Sequence, residues 1–422
     1  MLRSLTVQQF KSIHQSRLAF GRANLFIGPN GAGKSNVLEA LGILAGALSR
    51  GLDPTSLDER GIRLSVPTLF KSSFKRTRLP ATFRLEAVFD DGRYECSIRA
   101  GIRSSTLEFH SEALYDGETK VFGRGPGGIS LNGNFIQSSA IRSELVDPSR
   151  GLWDIFAPLA LISESLRADL DALSDFSIYA PQTAVMRGLA VDARVKSPLG
   201  LTGAGMASAF QEVVQRVQAN DVNKEDIEKI IGVIWEPGWA DGITIKPFDP
   251  KIVPSNVKSE GQLLYIRDRF MMKNRDYLSA FDASEGTLYL IFVATMLAHD
   301  SAPSMFGLDN VDGTLNSRLV RTLTDLIVDV ACGVRRMEGS KIRRRQSFVT
   351  SHHPSSLDSF DLFEEDQAVF VVSRDTQASP KGSTKFERLR PPPGLGKAEW
   401  HERSDGKSLS TLLLENVIPG AL

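Results

Sequence analysis

Residues 28–35 read Gly28-Pro29-Asn30-Gly31-Ala32-Gly33-Lys34-Ser35, the spacing G-x-x-x-x-G-K-[ST]. Glycines so placed let successive backbone N–H groups turn inward around an anion, as a bound triphosphate requires. Lys34 is then positioned for the β- and γ-phosphates, and the Ser35 hydroxyl for Mg²⁺. Such a loop needs a strand before it and a helix after it. Asn24-Leu25-Phe26-Ile27 is a short apolar run, and Asn36-Val37-Leu38-Glu39-Ala40-Leu41 continues to Leu44 with helical spacing. The start of that helix adds partial positive charge beside the lysine. The stretch therefore predicts binding of a nucleoside triphosphate with its Mg²⁺.

Further residues of suitable chemistry lie far along the chain. Ser284-Glu285-Gly286-Thr287 precedes the apolar run LYLIFVATMLA, so it reads either as a second anion-receiving helix start or as an ordinary serine cap. Met305-Phe306-Gly307-Leu308-Asp309 reads as a strand ending in an aspartate that supports Mg²⁺. Asn310 and Asp312 follow it. Phe348-Val349-Thr350-Ser351-His352-His353-Pro354 reads as another strand ending in a histidine pair, and an imidazole beside a triphosphate is a chemically sensible sensor.

The elements that must position these groups show in the pattern of the chain. With 422 residues it can bury a large core. Lys+Arg and Asp+Glu both number 50, so any nucleic-acid contact must come from a local patch rather than from net charge. Cys96 and Cys332 stand far apart without C-x-x-C spacing, which argues against a disulfide framework or zinc site. The N-terminus lacks the apolar stretch of a signal peptide and no run is long enough to span a bilayer; a cytoplasmic protein without membrane partners is expected.

Leu2 to Phe10 alternates as a strand, turns at Lys11-Ser12, and continues in a second strand to near Phe20. Residues 1–80 are read as the first part of a nucleotide-binding core. Within them, Lys71, Lys75, Arg76 and Arg78 form a basic loop that is either solvated or a nucleic-acid contact. Residues 81–141 alternate in short segments broken by Asp91-Gly92 and Asp116-Gly117, an antiparallel β-subdomain. Residues 142–275 are read as a helical lobe, with Asn223 and Asp226 as cap and first-turn acid of KEDIEKIIGVIW. No heptad repeat runs long enough for a coiled-coil arm. Residues 276–375 complete the core. The basic run Lys341-Ile342-Arg343-Arg344-Arg345, like Arg335-Arg336 before it, reads as a solvated loop, with DNA or an acidic partner surface as the alternative. One more strand follows Asp366, and residues 376–422 end in an amphipathic tail, SLSTLLLENVI, suited to docking a partner.

The opening LTVQQFKSIHQSRLAFGRANLFIGPNGAGKSNVLEAL resembles the start of the ABC-type ATPase heads of the RecF, SMC, Rad50 and OLD-like proteins. The resemblance implies an α/β P-loop NTPase of ABC-ATPase type with an antiparallel β-lobe and a helical lobe, here without a long coiled coil. It implies ATP and Mg²⁺ as ligands, bound by residues 28–35 together with Asn36. It makes Ser284, Glu285 and Gly286 the signature motif that touches ATP held by a second copy, so a homodimer or higher oligomer shares its ATP sites. Asp309 becomes the Walker B metal carboxylate, and His352 the switch histidine at the γ-phosphate.

One departure stands out. The resembled family has a glutamate after the Walker B aspartate to polarise the attacking water, and this chain has Asn310. Asparagine orients water but cannot take its proton at neutral pH, so hydrolysis is expected to be slow. Asp312 is the nearest substitute base; alternatively, residues 312–316 are the D-loop at the dimer seam. A GTPase is not expected, because no Asn-Lys-x-Asp motif is visible. Nuclease activity of the TOPRIM kind found in OLD-like relatives is not expected in this chain. Standalone heads of this kind resemble ATPase components of bacterial anti-phage defence, which act with a separately encoded effector; a RecF-like DNA-binding repair factor is the alternative.

Overall fold

The computed structural model describes residues 1–101, 106–135, 146–192, 198–255, 257, 261–313 and 315–415. Two layers of sheet carry the molecule. The first contains β1 (Leu2–Phe10), β2 (Ile13–Ala19), β4 (Phe83–Phe89), β5 (Gly92–Ala100), β6 (Leu107–Asp116), β7 (Thr119–Gly125), β8 (Gly128–Leu131) and β9 (Asn134–Phe135) in the order 2-1-4-5-6-7-8-9, antiparallel throughout. The turns after Asp90 and Asp116 are the expected hairpins. Because β1 pairs with both β2 and β4, the opening hairpin and the later meander form one surface.

The second sheet holds the site. Its order is β10 (Ser177–Tyr179), β14 (Met305–Leu308), β15 (Gln346–Ser351), β3 (Ala23–Ile27), β16 (Gln367–Asp375) and β17 (Ser383–Arg388). The first five are parallel and only β17 runs antiparallel, at the edge. A parallel sheet must be covered on both faces, which explains why β3 is buried at every position and reads as an unbroken apolar run. Its residues divide by parity. Ala23, Leu25 and Ile27 join the core under the helices Glu285–Ala298 and Ser317–Cys332; Phe26 joins the core shared with the helix Lys34–Ala47 and the antiparallel sheet. Phe26 stacks on Phe370 at 5.1 Å, and Phe20 meets Phe348 edge-on at 5.0 Å. Such pairs add about 0.5–1.5 kcal/mol each beyond burial and fix the strands that carry the site.

Gln346 joins the two sheets by donating from Nε2 to the carbonyls of Leu2 and Gly21, both at 2.8 Å. Buried Asn24 donates to the carbonyls of Gly21 and Ser347 and accepts from the Gly21 N–H, so its amide is satisfied.

The structure departs from the sequence reading in several places. Residues 142–275 are not helical throughout: besides the helices Glu164–Ser174, Met206–Gln218 and Lys224–Ile231 they supply β10 and most of a three-stranded sheet of β11 (Ala240–Lys246), β12 (Leu263–Asp268) and β13, whose range is Tyr277–Ser279. Short strands broken by polar turns give too few alternations to be read as a sheet. Asn223 is the cap residue of Lys224–Ile231 and Asp226 its first-turn acid, as expected, but the Asn223 side chain makes no capping bond; Asp226 also accepts from Ser340 Oγ and the Lys341 N–H. Two strands, not one, follow Asp366, because β17 folds back on β16. Arg345 is not a solvated cation. It is buried and donates to the carbonyls of Leu297, His299 and Pro303, closing the C-terminal end of Glu285–Ala298. Burial pushes its guanidinium down to about 10. Lys341, Arg343 and Arg344 remain at least partly exposed.

The tail also differs. Helices Lys397–Arg403 and Leu409–Leu414 fold onto their own chain, with Leu412 and Leu413 buried and Ser410 bonded to Asp358 through its N–H and hydroxyl. The end of the expected amphipathic stretch, 416–418, and Thr314 of the 312–316 segment lie outside the described residues. Among the described residues the longest helix is Ser317–Cys332, with 16 residues. No described helix is long and apolar enough to cross a membrane.

Candidate nucleotide site

The loop after β3 has the conformation its glycines allow. Gly28, Gly31 and Gly33 have φ of 156°, 78° and 107°. A Cβ on Gly28 would lie 2.1 Å from the Val372 carbonyl oxygen, and one on Gly33 would lie 2.3 Å from Thr384 Oγ1, so neither position admits a side chain. Thr384 Oγ1 also donates to the Ala32 carbonyl, Arg374 donates to that of Gly31, and Asn36 Nδ2 donates to Ser12 Oγ. The loop is thus braced from β16, from β17 and from the first hairpin. Pro29, Asn30 and Gly31 are exposed at its mouth, while Ala32 is buried.

Lys34 is buried, and its ammonium donates to the carbonyls of Gly28 at 2.7 Å and Pro29 at 3.0 Å. Burial lowers its pKa, against the opposing pull of Asp312 and Asp309. A buried cation held on two neutral acceptors is prepared for stronger, anionic ones. The following helix has Gly33 as its cap residue with no side-chain capping bond. No side chain competes with phosphate oxygens for its first turn.

Three strands deliver the rest. Ser35 Oγ donates to Asp309 Oδ1 at 2.9 Å, and Thr350 Oγ1, from β15, donates to the same oxygen at 2.5 Å. The Asn310 N–H donates to Thr350 Oγ1 at 2.8 Å, and the Asp309 N–H to the Tyr179 carbonyl on β10. One hydroxyl and one carboxylate in contact suit Mg²⁺, which keeps water and substrate oxygens for most of its six positions. When bound, the ion would supply positive charge to the phosphates. Ser35 and Asp309 would hold it.

Asn310 is exposed, has a left-handed φ of 57°, and has its backbone fixed by Thr350. Asp312 is elsewhere. Its side chain is wholly buried, and Oδ2 accepts from Ser351 Oγ and from the N–H groups of His352 and His353, with His352 Nδ1 at 3.1 Å. The His352 ring is partly exposed. The structure therefore unites residues 28–36 with Asp309 and Asn310, and joins Asp312 to His352 beside them.

Ser284, Glu285 and Gly286 share no hydrogen bond with this cluster among the described residues; they stand at the start of Glu285–Ala298, where Ser284 and Glu285 are exposed. Ser284 Oγ accepts from the Thr287 N–H at 3.2 Å, so the serine is a cap, and its outward position leaves it free to meet another molecule. Thr287 is held in turn by Trp239 Nε1. From the same helix, Tyr289 reaches the Asn310 carbonyl at 3.5 Å; burial raises its phenol pKa.

Sequence reasoning missed four participants. Thr350 is one. Glu39 is another, a buried carboxylate on the loop helix paired with Lys11 and with Arg63 Nε at 2.6 Å. With Ser35, Asp309, Thr202 and Gln182, Glu39 and Arg63 line a cavity of about 170 Å³. Gln182 supplies there an amide able to orient water or a ligand oxygen. Lys11 and Arg63, with Lys71 and Arg374, also line an open groove beside Ser12 and Asn36, on the outer side of the loop. A buried glutamate within a helical apolar run was the one visible signal; Gln182 and Arg63 had none.

A parallel sheet with a phosphate loop after one strand, an aspartate after the next but one, and a covering antiparallel sheet define an ATPase head of the ABC type. The chain belongs to the family described as "AAA domain, putative AbiEii toxin, Type IV TA system", which matches residues 23–358. It is also similar to the DNA replication and repair protein RecF of Magnetococcus marinus, 55% identical over 42 residues, a match spanning 10% of this chain and 11% of that protein. Among solved structures, an SMC head bound to the C-winged helix domain of ScpA aligns over 92% of this chain and 98% of its own, at 16% identity and a TM-score of 0.51. The SMC head of Thermotoga maritima aligns over 92% and 99%, at 14% identity and a TM-score of 0.42.

Proposed function

We propose that this protein binds Mg-ATP, hydrolyses it slowly, and uses ATP-dependent dimerisation to control a separately encoded effector, a nuclease or toxin, in bacterial anti-phage defence. The observation that carries the reading is the division of the site. The loop, Lys34, Ser35 and Asp309 are assembled in one place, whereas Ser284 and Gly286 open a different helix, whose exposed start shares no hydrogen bond with that cluster among the described residues. Two copies would complete two sites, each with the loop of one subunit and the helix start of the other.

Slow turnover follows from Asn310. Its amide can hold water, but no proton acceptor replaces glutamate at that position, and general-base catalysis is worth about 10²–10⁴-fold. Long occupancy suits a switch better than a motor. The family's description as a putative toxin of a toxin–antitoxin system supports control of a partner. The short RecF similarity favours the second reading, an ATP-dependent clamp on duplex DNA, for which Lys71, Lys75, Arg76 and Arg78 are the candidate contacts.

The test is ATP turnover by the wild type and the Lys34→Ala and Asn310→Glu variants, with solution mass recorded with and without ATP. A nearly inert wild type, a faster Asn310→Glu and ATP-driven association support the switch. Brisk wild-type turnover, unchanged in Asn310→Glu, with DNA binding that weakens steeply with salt, supports the clamp.

A further inference from the structure

We infer that Asp312 is a positioning residue that holds the switch segment, not the base that activates water. The inference rests on the ATPase reading and assigns Asp312 a different part in that site.

One oxygen does the work. Asp312 Oδ2 accepts from the His353 N–H at 2.6 Å, the His352 N–H at 2.7 Å and Ser351 Oγ at 2.8 Å, and lies 3.1 Å from His352 Nδ1. Two successive N–H groups converging on an anion form a backbone nest, and bonds to a charged acceptor are about twice as strong as neutral ones. The carboxylate thus sets both the backbone and the ring of His352. With Nδ1 directed to Asp312, Nε2 is the ring nitrogen left over for a phosphate.

The same geometry removes Asp312 from proton transfer. A general base must come within hydrogen-bond reach of the water it deprotonates. The Asp312 side chain has no exposed surface, Oδ2 is taken by these donors, and Oδ1 is buried without a partner. The position is also structurally apt. Asp312 lies three residues after Asp309, and the Val311 N–H donates to the Thr350 carbonyl at 3.0 Å, so the Walker B turn and the switch are laced together at adjacent residues. Ser351 Oγ further accepts from Ser356 Oγ at 3.0 Å, extending the network into the turn Pro354–Ser359. A change at the γ-phosphate sensed by His352 would pass through Asp312 to the segment 312–316, which leads into the helix Ser317–Cys332.

The two roles make opposite demands on asparagine. The Asp312→Asn variant would keep a carbonyl oxygen for the two N–H groups but could not accept a proton. Single-turnover ATP hydrolysis is therefore to be compared for wild type, Asp312→Asn, Asp312→Ala, His352→Ala and the Asp312→Ala/His352→Ala double variant, with binding of a fluorescent ATP analogue measured for each. The expected result is analogue affinity within about threefold of wild type in the two single Asp312 variants, since the loop is untouched, and hydrolysis reduced about 10²-fold in Asp312→Ala, within about fivefold of wild type in Asp312→Asn, and no lower in the double variant than in His352→Ala. Should Asp312→Ala not fold, Ser351→Ala and Asp312→Asn carry the comparison. Equal loss in Asp312→Asn and Asp312→Ala, or multiplicative loss in the double variant, overturns the inference. A wild type that binds no ATP analogue overturns the ATPase reading instead, and the inference with it.

Discussion

Two helix starts in this protein satisfy their first turns by opposite means. Lys34–Ala47 begins behind Gly33, with no side chain closing its first turn and a buried lysine beneath it. Glu285–Ala298 begins behind Ser284, whose hydroxyl already accepts a first-turn N–H, and only its start is exposed, with an acid, Glu285, in the first turn. The bare start offers its donors to a ligand at once. The capped start is satisfied alone and has donors to give only when an anion arrives with enough charge to compete. On the function proposed above, the first would receive ATP within one chain and the second would meet ATP presented by a second copy.

This contrast can be broken most forcefully at the receptor. Lys34→Ala removes the buried cation of the loop and should weaken ATP binding by at least about 10²-fold, read by equilibrium binding, with little change in Tm. At the second start, Ser284→Asp retains a good capping side chain but adds negative charge, so ATP-driven association should be lost while thermal stability is kept. Ser284→Ala should instead lose about 1 kcal/mol of stability through the missing cap. Equal association in wild type and Ser284→Asp, measured by mass in the presence of ATP, would show that this helix start does not meet nucleotide.

The far end of the same helix sharpens the comparison. Arg345 donates to three carbonyls there, so Arg345→Met should cost about 2–4 kcal/mol by leaving buried acceptors unpaired, seen in denaturant unfolding. ATP affinity of the folded fraction should hold, because the loop does not depend on that helix.

The smallest effect is expected at Asp329, a control remote from both starts. Burial, opposed by Arg335, raises its carboxyl to about 6. A folded-state value above the unfolded one means that the native state binds the extra proton between about pH 4 and 6, so this group's contribution worsens as pH rises through that window. Asp329→Asn should therefore stabilise by on the order of 1 kcal/mol above pH 6 and lose that advantage below pH 4, as followed by Tm against pH.

The residues that the structure gathers around the loop were legible in the sequence where their contacts are local. Gly28, Gly33 and Lys34 are placed by backbone conformation and by neighbours a few residues away, so their spacing discloses the loop. Asp309 and His352 were legible because each ends an apolar strand. Gln182, Thr350 and Arg63 were not, since each reaches the site only through a strand or loop brought from far along the chain, and no short-range pattern marks them. The three-stranded sheet β11–β13 was missed because its strands are short and separated by long polar turns. Arg345 misled, because a basic run reads as solvated unless a carbonyl-lined helix end is known to lie against it.

The sequence by itself determined a phosphate loop between strand and helix, an antiparallel lobe, and an asparagine where a glutamate is expected, because these depend on residue type and on periods of two and 3.6. The tertiary structure alone decided that the tail folds back onto Asp358, that Asp312 is held by the switch backbone, and that Ser284 is left exposed at the start of its helix. Those outcomes depend on which strands lie side by side, and the order 10-14-15-3-16-17 is set by burial on both faces of a parallel sheet, not by any neighbour in the chain.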